Sequence, residues 1–172
     1  MNTNRRSFLQ TAAAAAAATS LPNWYLNELA QSAAAATVVD DQPAIALIGC
    51  GGMGKGDAKN ASRFGRIVAL CDVDDSQLAE AKKLWPDAET YKDFRKVMDR
   101  QDIQVVICGT VDHWHTLVSL AALRSKKDVY CEKPLTLTIE EGQHLVSAVR
   151  STGGILQTGS QQRSDKNFRL AC

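Results

Sequence analysis

From Pro43 onward the chain alternates between short, continuous apolar runs and segments whose apolar residues recur at helical spacing. Ala44–Ile48 is the first run, bounded by Pro43 and a cluster of glycines, and it reads as a strand buried on both faces. Residues 52–63 suit a helix that starts on those glycines. Arg66–Cys71 is a second apolar strand, ending at Asp72. A helix over Ser76–Leu84 follows, with Asp74, Asp75 or Ser76 as its cap and Pro86 as its stop. Glu89–Tyr91 gives a short third strand, and Asp93 caps a helix through Met98. Gln104–Cys108 is a fourth strand rich in β-branched residues. His115–Ser125 follows as a helix with Leu117, Leu120, Ala121 and Leu123 on its apolar face. Asp128–Cys131 is a fifth strand. Thr138 with Glu141 three residues on forms a capping box for a helix to Arg150, which Gly153-Gly154 ends before a sixth strand, Ile155–Thr158.

Strict alternation of buried strands and helices predicts a parallel sheet covered on both faces, the doubly wound α/β class. In such sheets ligands sit at the carboxyl ends of the strands. The glycine turn, Asp72, Thr110-Val111-Asp112 and Glu132-Lys133-Pro134 all fall at such ends, so segments far apart in sequence converge on one rim.

The residues before Pro43 are different material. Asn4-Arg5-Arg6-Ser7-Phe8-Leu9 leads into the alanine run Ala12–Ala18, and a second small-residue tract spans Ala33–Ala36. A charged start, a weakly hydrophobic stretch and a small-residue cleavage zone near Ala30–Ala36 read as an export signal, and the arginine pair followed by Phe-Leu resembles the twin-arginine type. Residues 1–40 are therefore set apart as signal and linker, which implies the Tat export machinery as a partner and a periplasmic or otherwise exported location. The formal charge of the 172 residues is +1, which argues against nucleic acid or a membrane surface as a partner. No later apolar run approaches the ~20 residues needed to span a bilayer. Five cysteines, at 50, 71, 108, 131 and 172, show no metal-ligand spacing. The first four lie at or just after apolar runs and are expected to be unpaired thiols filling tight places.

The chemistry gathers in three places. Gly49, Gly51 and Gly54 form Gly-x-Gly-x-x-Gly after a strand and at the start of a helix, the context of a dinucleotide-binding Rossmann turn. In that reading Gly49 permits the tight turn, Gly51 the approach of a pyrophosphate, and Gly54 the close packing of helix on strand, with Gly52 and Met53 completing the cofactor-binding turn. Asp72, about twenty residues past Gly51, suits the ribose hydroxyls and repels a 2′-phosphate, which favours NAD over NADP. Pro134 restricts Lys133 to extended geometry, where its ammonium can bond a substrate hydroxyl or tune a proton transfer. A surface ion pair is the plainer reading of that tripeptide. His113 and His115 flank Trp114, but no third ligand is visible, so no metal site is expected; His144 is read as structural.

Taken in order, Ala-Leu-Ile-Gly-Cys-Gly-Gly-Met-Gly, Leu-Cys-Asp-Val-Asp, Thr-Val-Asp-His-Trp-His and Cys-Glu-Lys-Pro-Leu resemble the Gfo/Idh/MocA oxidoreductases over residues 44–172. The resemblance implies an NAD-binding Rossmann domain over residues 43–160 and a second α/β domain, most of it lying beyond Cys172. Residues 161–172 would be its start, and Gly159–Arg163 resembles the linker into it. It implies oxidation or reduction of a sugar, polyol or cyclitol hydroxyl, with Lys133 catalytic and Thr110, His115 and Glu132 near the cofactor. Full-length members imply a homo-oligomer, and some are exported folded by the twin-arginine route. Two alternatives remain open: an NAD-dependent glycoside hydrolase of the same fold, and a non-catalytic dinucleotide-binding module.

Overall fold

The computed structural model describes residues 42–171; the export signal read over residues 1–40, and Cys172, lie outside the described residues. The strands are β1 (Ala44–Ile48), β2 (Arg66–Cys71), β3 (Glu89–Tyr91), β4 (Val105–Cys108), β5 (Asp128–Cys131) and β6 (Leu156–Thr158). They form one sheet in the order β3-β2-β1-β4-β5-β6, and every neighbouring pair is parallel. The helices are α1 (Gly52–Ala61), α2 (Asp75–Leu84), α3 (Phe94–Met98), α4 (His115–Arg124), α5 (Ile139–Thr152) and a short α6 (Lys166–Ala171).

Two apolar layers hold the sheet. On one face Ile45, Leu47, Leu70 and Ile107 pack against Ala58 of α1 and Leu78 and Ala81 of α2. On the other, Ala46, Ile48, Val106 and Val129 pack against α3, α4 and α5 through Val97, Val118, Ala122 and Leu145. Burial on both faces is why β1, β2 and β4 read as unbroken apolar runs rather than alternating ones. The winding direction reverses between β1 and β4, and the crevice at their carboxyl ends is the switch point where such sheets bind ligands.

The helix ends follow the residues that cap them. Asp74 caps α2, its carboxylate accepting from Ser76 N, and Asp93 caps α3 in the same way from Arg95 N. Both halves of the capping box form at α5, and Gly153 ends that helix at φ +70°. Glu141 also accepts from Thr116 Oγ1 at 3.2 Å, which ties the start of α5 to α4. Thr138→Ala is expected to cost about 1 kcal/mol, read as a lower denaturant midpoint at unchanged slope.

The apolar stripe of α4 differs from the one its leucines suggest. Leu117 is 54% exposed, whereas His115, Thr116, Val118, Ser119, Ala122 and Leu123 are buried. The buried positions 115, 118, 119 and 122 keep helical spacing, but two of them are polar, and that disguises the inward face.

Candidate functional site

Gly49 ends β1 with φ +89°, a backbone conformation that glycine adopts freely and other residues do not. A Cβ on Gly49 would lie 2.5 Å from Gly109 C and O, one on Gly54 would lie 2.1 Å from Gly49 O, and one on Gly109 2.6 Å from Gly54 Cα. These three glycines let β1, the first turn of α1 and the end of β4 pack backbone on backbone. Gly51 and Gly52 are different: a Cβ on either meets nothing within 4 Å. That open space lies at the N-terminus of α1, where Gly51 brings no side chain to bond the first-turn N–H groups. Free N–H groups and the positive end of the helix dipole face the opening, which fits a pyrophosphate.

A crevice of about 310 Å³ opens beside this turn at the carboxyl ends of β1, β2 and β4. Gly49, Gly51, Asp72 and Thr110 line it, and Trp114 helps to wall it. The Trp114 ring stands edge-on to Phe94, with centroids 6.0 Å apart. Asp72 ends β2 and is turned towards the glycines: Oδ2 accepts from Cys50 N at 2.6 Å and Oδ1 from Asp74 N at 2.9 Å. Each oxygen keeps acceptor capacity for a ribose hydroxyl.

The remaining candidate residues fall around this crevice. Met53 is exposed on α1, and the Gln161 amide reaches its Sδ at 3.6 Å, so the segment after β6 passes close to the turn. Lys133 is exposed at the end of β5, one strand beyond the crevice, and its peptide bond to Pro134 is cis. Glu132 beside it is 4% exposed; it accepts from Tyr130 OH at Oε1 and from Lys133 N at Oε2, both at 3.3 Å. His115 is buried, with Nδ1 2.6 Å from Pro134 O and Nε2 3.0 Å from Thr110 O. It offers no surface to the crevice; it braces the Thr110 loop against the lysine segment.

The two histidines flanking Trp114 part company: His113 is exposed, whereas His115 meets Cys108 and Cys131, with one ligand-type atom of each within 4.8 Å of the others. Sequence spacing hid this cluster because Cys108 and Cys131 are partners across β4 and β5. Both His115 ring nitrogens already lie against backbone carbonyls. The two neighbouring thiols act on each other, Cys108 being shifted down and Cys131 up, and the Cys131 thiol donates to Glu132 O at 3.5 Å. Cys50 and Cys71 are pushed up to about 12, by burial first and by Asp72 second. All four cysteines among the described residues are free and buried. Sequence reasoning missed Gly109, Phe94 and Asp57, whose roles rest on neighbours distant in sequence.

Residues 44–160 match the model of the oxidoreductase family with an NAD-binding Rossmann fold, the Gfo/Idh/MocA family. The chain belongs to this family. Residues 2–22 match a twin-arginine translocation signal. Among curated relatives, the chain is 28% identical over 127 residues to the myo-inositol 2-dehydrogenase of Thermotoga maritima, covering 73% of this chain and 38% of that protein. It is 32% identical over 130 residues to the inositol 2-dehydrogenase of Burkholderia multivorans, covering 73% and 39%. The crystal structure of myo-inositol 2-dehydrogenase from Lactobacillus plantarum superposes with a TM-score of 0.70 at 27% identity, covering 76% of this chain and 40% of that one. The chain thus spans about two fifths of the length of the relatives it matches. Among the described residues, no helix is long and apolar enough to cross a membrane.

Proposed function

We propose that this chain is the nucleotide-binding part of an exported, NAD-dependent dehydrogenase that acts on a secondary hydroxyl of a sugar, polyol or cyclitol. The observation that carries the cofactor preference is Asp72, a carboxylate at the crevice beside an uncapped helix N-terminus. A charge there accepts ribose hydroxyls and opposes a 2′-phosphate. The substrate class is supported by the inositol dehydrogenases among the relatives.

Bound NAD supplies the hydride acceptor for the alcohol. In this reading Gly49, Gly51, Gly52, Met53 and Gly54 shape the pyrophosphate cradle, Asp72 orients the adenosine ribose, and Thr110 contributes to the crevice wall. His115 and Glu132 act from behind the rim, one on each side of the loop that carries Lys133. Lys133 is the catalytic group: its ammonium bonds the hydroxyl, and as the amine it takes the proton that leaves with the hydride. Export through the twin-arginine route places the enzyme in the periplasm, and the full-length enzyme assembles as a homo-oligomer.

Titrating the purified chain with NADH and NADPH, by quenching of Trp114, tests the cofactor reading. NADH is expected to bind at least tenfold more tightly than NADPH, about 1.4 kcal/mol of preference. Equal affinities, or no NADH binding, would overturn it.

A further inference from the structure

Asp57 lies on α1 three residues past Gly54, and Glu132 lies at the carboxyl end of β5. Their carboxyl groups are hydrogen-bonded to each other. Glu132 is nearly buried and enclosed: Tyr130 OH bonds Oε1, Lys133 N bonds Oε2, and a Cβ on Gly159 would lie 2.3 Å from Oε1. Asp57 Oδ2 is buried as well, and no donor group of the protein bonds it. Ionised carboxylates have acceptors only, so two of them cannot hydrogen-bond without a proton between them. The titratable groups facing Asp57 are Glu132 and the Tyr130 phenol, and no cation is among the groups that act on it.

We infer that Asp57 keeps its proton and donates it to Glu132, and that Asp57 is thereby a positioning residue that holds the Glu132-Lys133-Pro134 segment against the glycine-turn helix. Only the functional weight of that placement rests on the role proposed above for Lys133. Burial, then the charge of Glu132, pushes Asp57 up to about 6. An acid whose folded value is raised keeps its proton in the native state at a pH where the unfolded chain has lost it. The Asp57 proton therefore stabilises the fold less and less as pH rises from the ordinary carboxylate range through about 6. Above that, two adjacent charges repel and the lysine segment loosens.

Three measurements on this chain test the inference. In carbon-13 NMR of labelled aspartate, the resonance that disappears in Asp57→Asn is expected to titrate near pH 6, apart from the exposed carboxylates. Asn donates to Glu132 without a charge, so the melting temperature of Asp57→Asn is expected to match the parent at pH 5 and exceed it by a few degrees at pH 8. The protection factor of the Lys133 amide against hydrogen exchange is expected to fall several-fold between those pH values in the parent and to stay level in the variant. A side chain with a merely structural role would give a pH-independent difference. An Asp57 carboxyl titrating with the surface acids, or a melting difference that is flat with pH, overturns the inference. Each readout needs no bound cofactor, so failure of NADH binding would strike the functional reading and leave this one standing.

Discussion

Gly54→Ala is expected to lower the melting temperature by several degrees and to reduce NADH affinity at least tenfold. The added Cβ would lie 2.1 Å from Gly49 O and 3.2 Å from Leu47 Cδ1. The nearer obstacle is backbone, which has no rotamer by which to escape, so helix α1 must move off the end of β1. Gly109 packs against Gly54 Cα, and that contact is strained with it. Overpacking of this kind costs roughly 1–3 kcal/mol or more. The displaced helix also carries the N–H groups of the anion cradle away from the crevice, so stability and affinity fall together. Gly51→Ala is the informative contrast, because a Cβ there meets nothing in the protein. It is expected to leave the melting temperature near that of the parent while weakening NADH, since the new methyl group enters the open space in which the pyrophosphate is proposed to lie. Parent-like affinity in both variants would remove the glycine turn from the cofactor site.

That contrast also shows where sequence reasoning reached its limit. The central strands β1, β2 and β4 are visible as apolar runs, because a strand buried on both faces needs no periodicity to be recognised, whereas the short edge strands β3 and β6 are polar and partly exposed. The caps at Asp93, Thr138 and Gly153 are equally visible, since capping is local chemistry within four residues, and Asp74 is one of the three candidates the sequence offers for α2. The glycine pattern marks the turn but does not say which glycines serve packing and which leave open space. That distinction depends on Gly109, which enters from another strand. The stripe of α4 was misleading because His115 and Ser119 are buried polar residues, and an apolar count passes over them. Asp57 lies among charged and small residues at exposed-looking spacing, and only the juxtaposition of α1 with the end of β5 gives it a partner. The cluster of Cys108, His115 and Cys131 is of the same kind: it depends on strand register, which is a tertiary property.

The buried thiols bear on the export reading. An exported chain meets oxidising conditions, where an exposed cysteine reacts. Cys50, Cys71, Cys108 and Cys131 are each no more than 3% exposed, and burial keeps Cys50 and Cys71 protonated at neutral pH. Cys50 and Cys71 therefore serve as compact apolar filling where the strands end beneath the rim.

Asp72→Ala is expected to weaken NADH by roughly 10- to 100-fold, because hydrogen bonds to a charged group contribute about 1.5–3 kcal/mol. NADPH is expected to lose much less, since in the proposed role the carboxylate bonds ribose hydroxyls and would repel a 2′-phosphate; the preference for NADH over NADPH should shrink towards unity. The substitution has a second consequence that must be separated from the first. In this structure Asp72 also accepts from Cys50 N and Asp74 N, so its loss loosens the glycine turn itself. Asp72→Asn narrows the two effects, because the amide oxygen can still accept from Cys50 N while the charge is gone, and only the Asp74 N bond is lost to the amide NH2. If charge sets the preference, Asp72→Asn should melt closer to the parent than Asp72→Ala does and bind the two cofactors with nearly equal affinity. If turn geometry sets it, Asp72→Asn should discriminate as the parent does, and only Asp72→Ala should fail. An unchanged NADH-to-NADPH ratio in both variants would move the selectivity away from Asp72 altogether, and the surfaces left to carry it would be the crevice walls formed by Val73, Phe94 and Trp114.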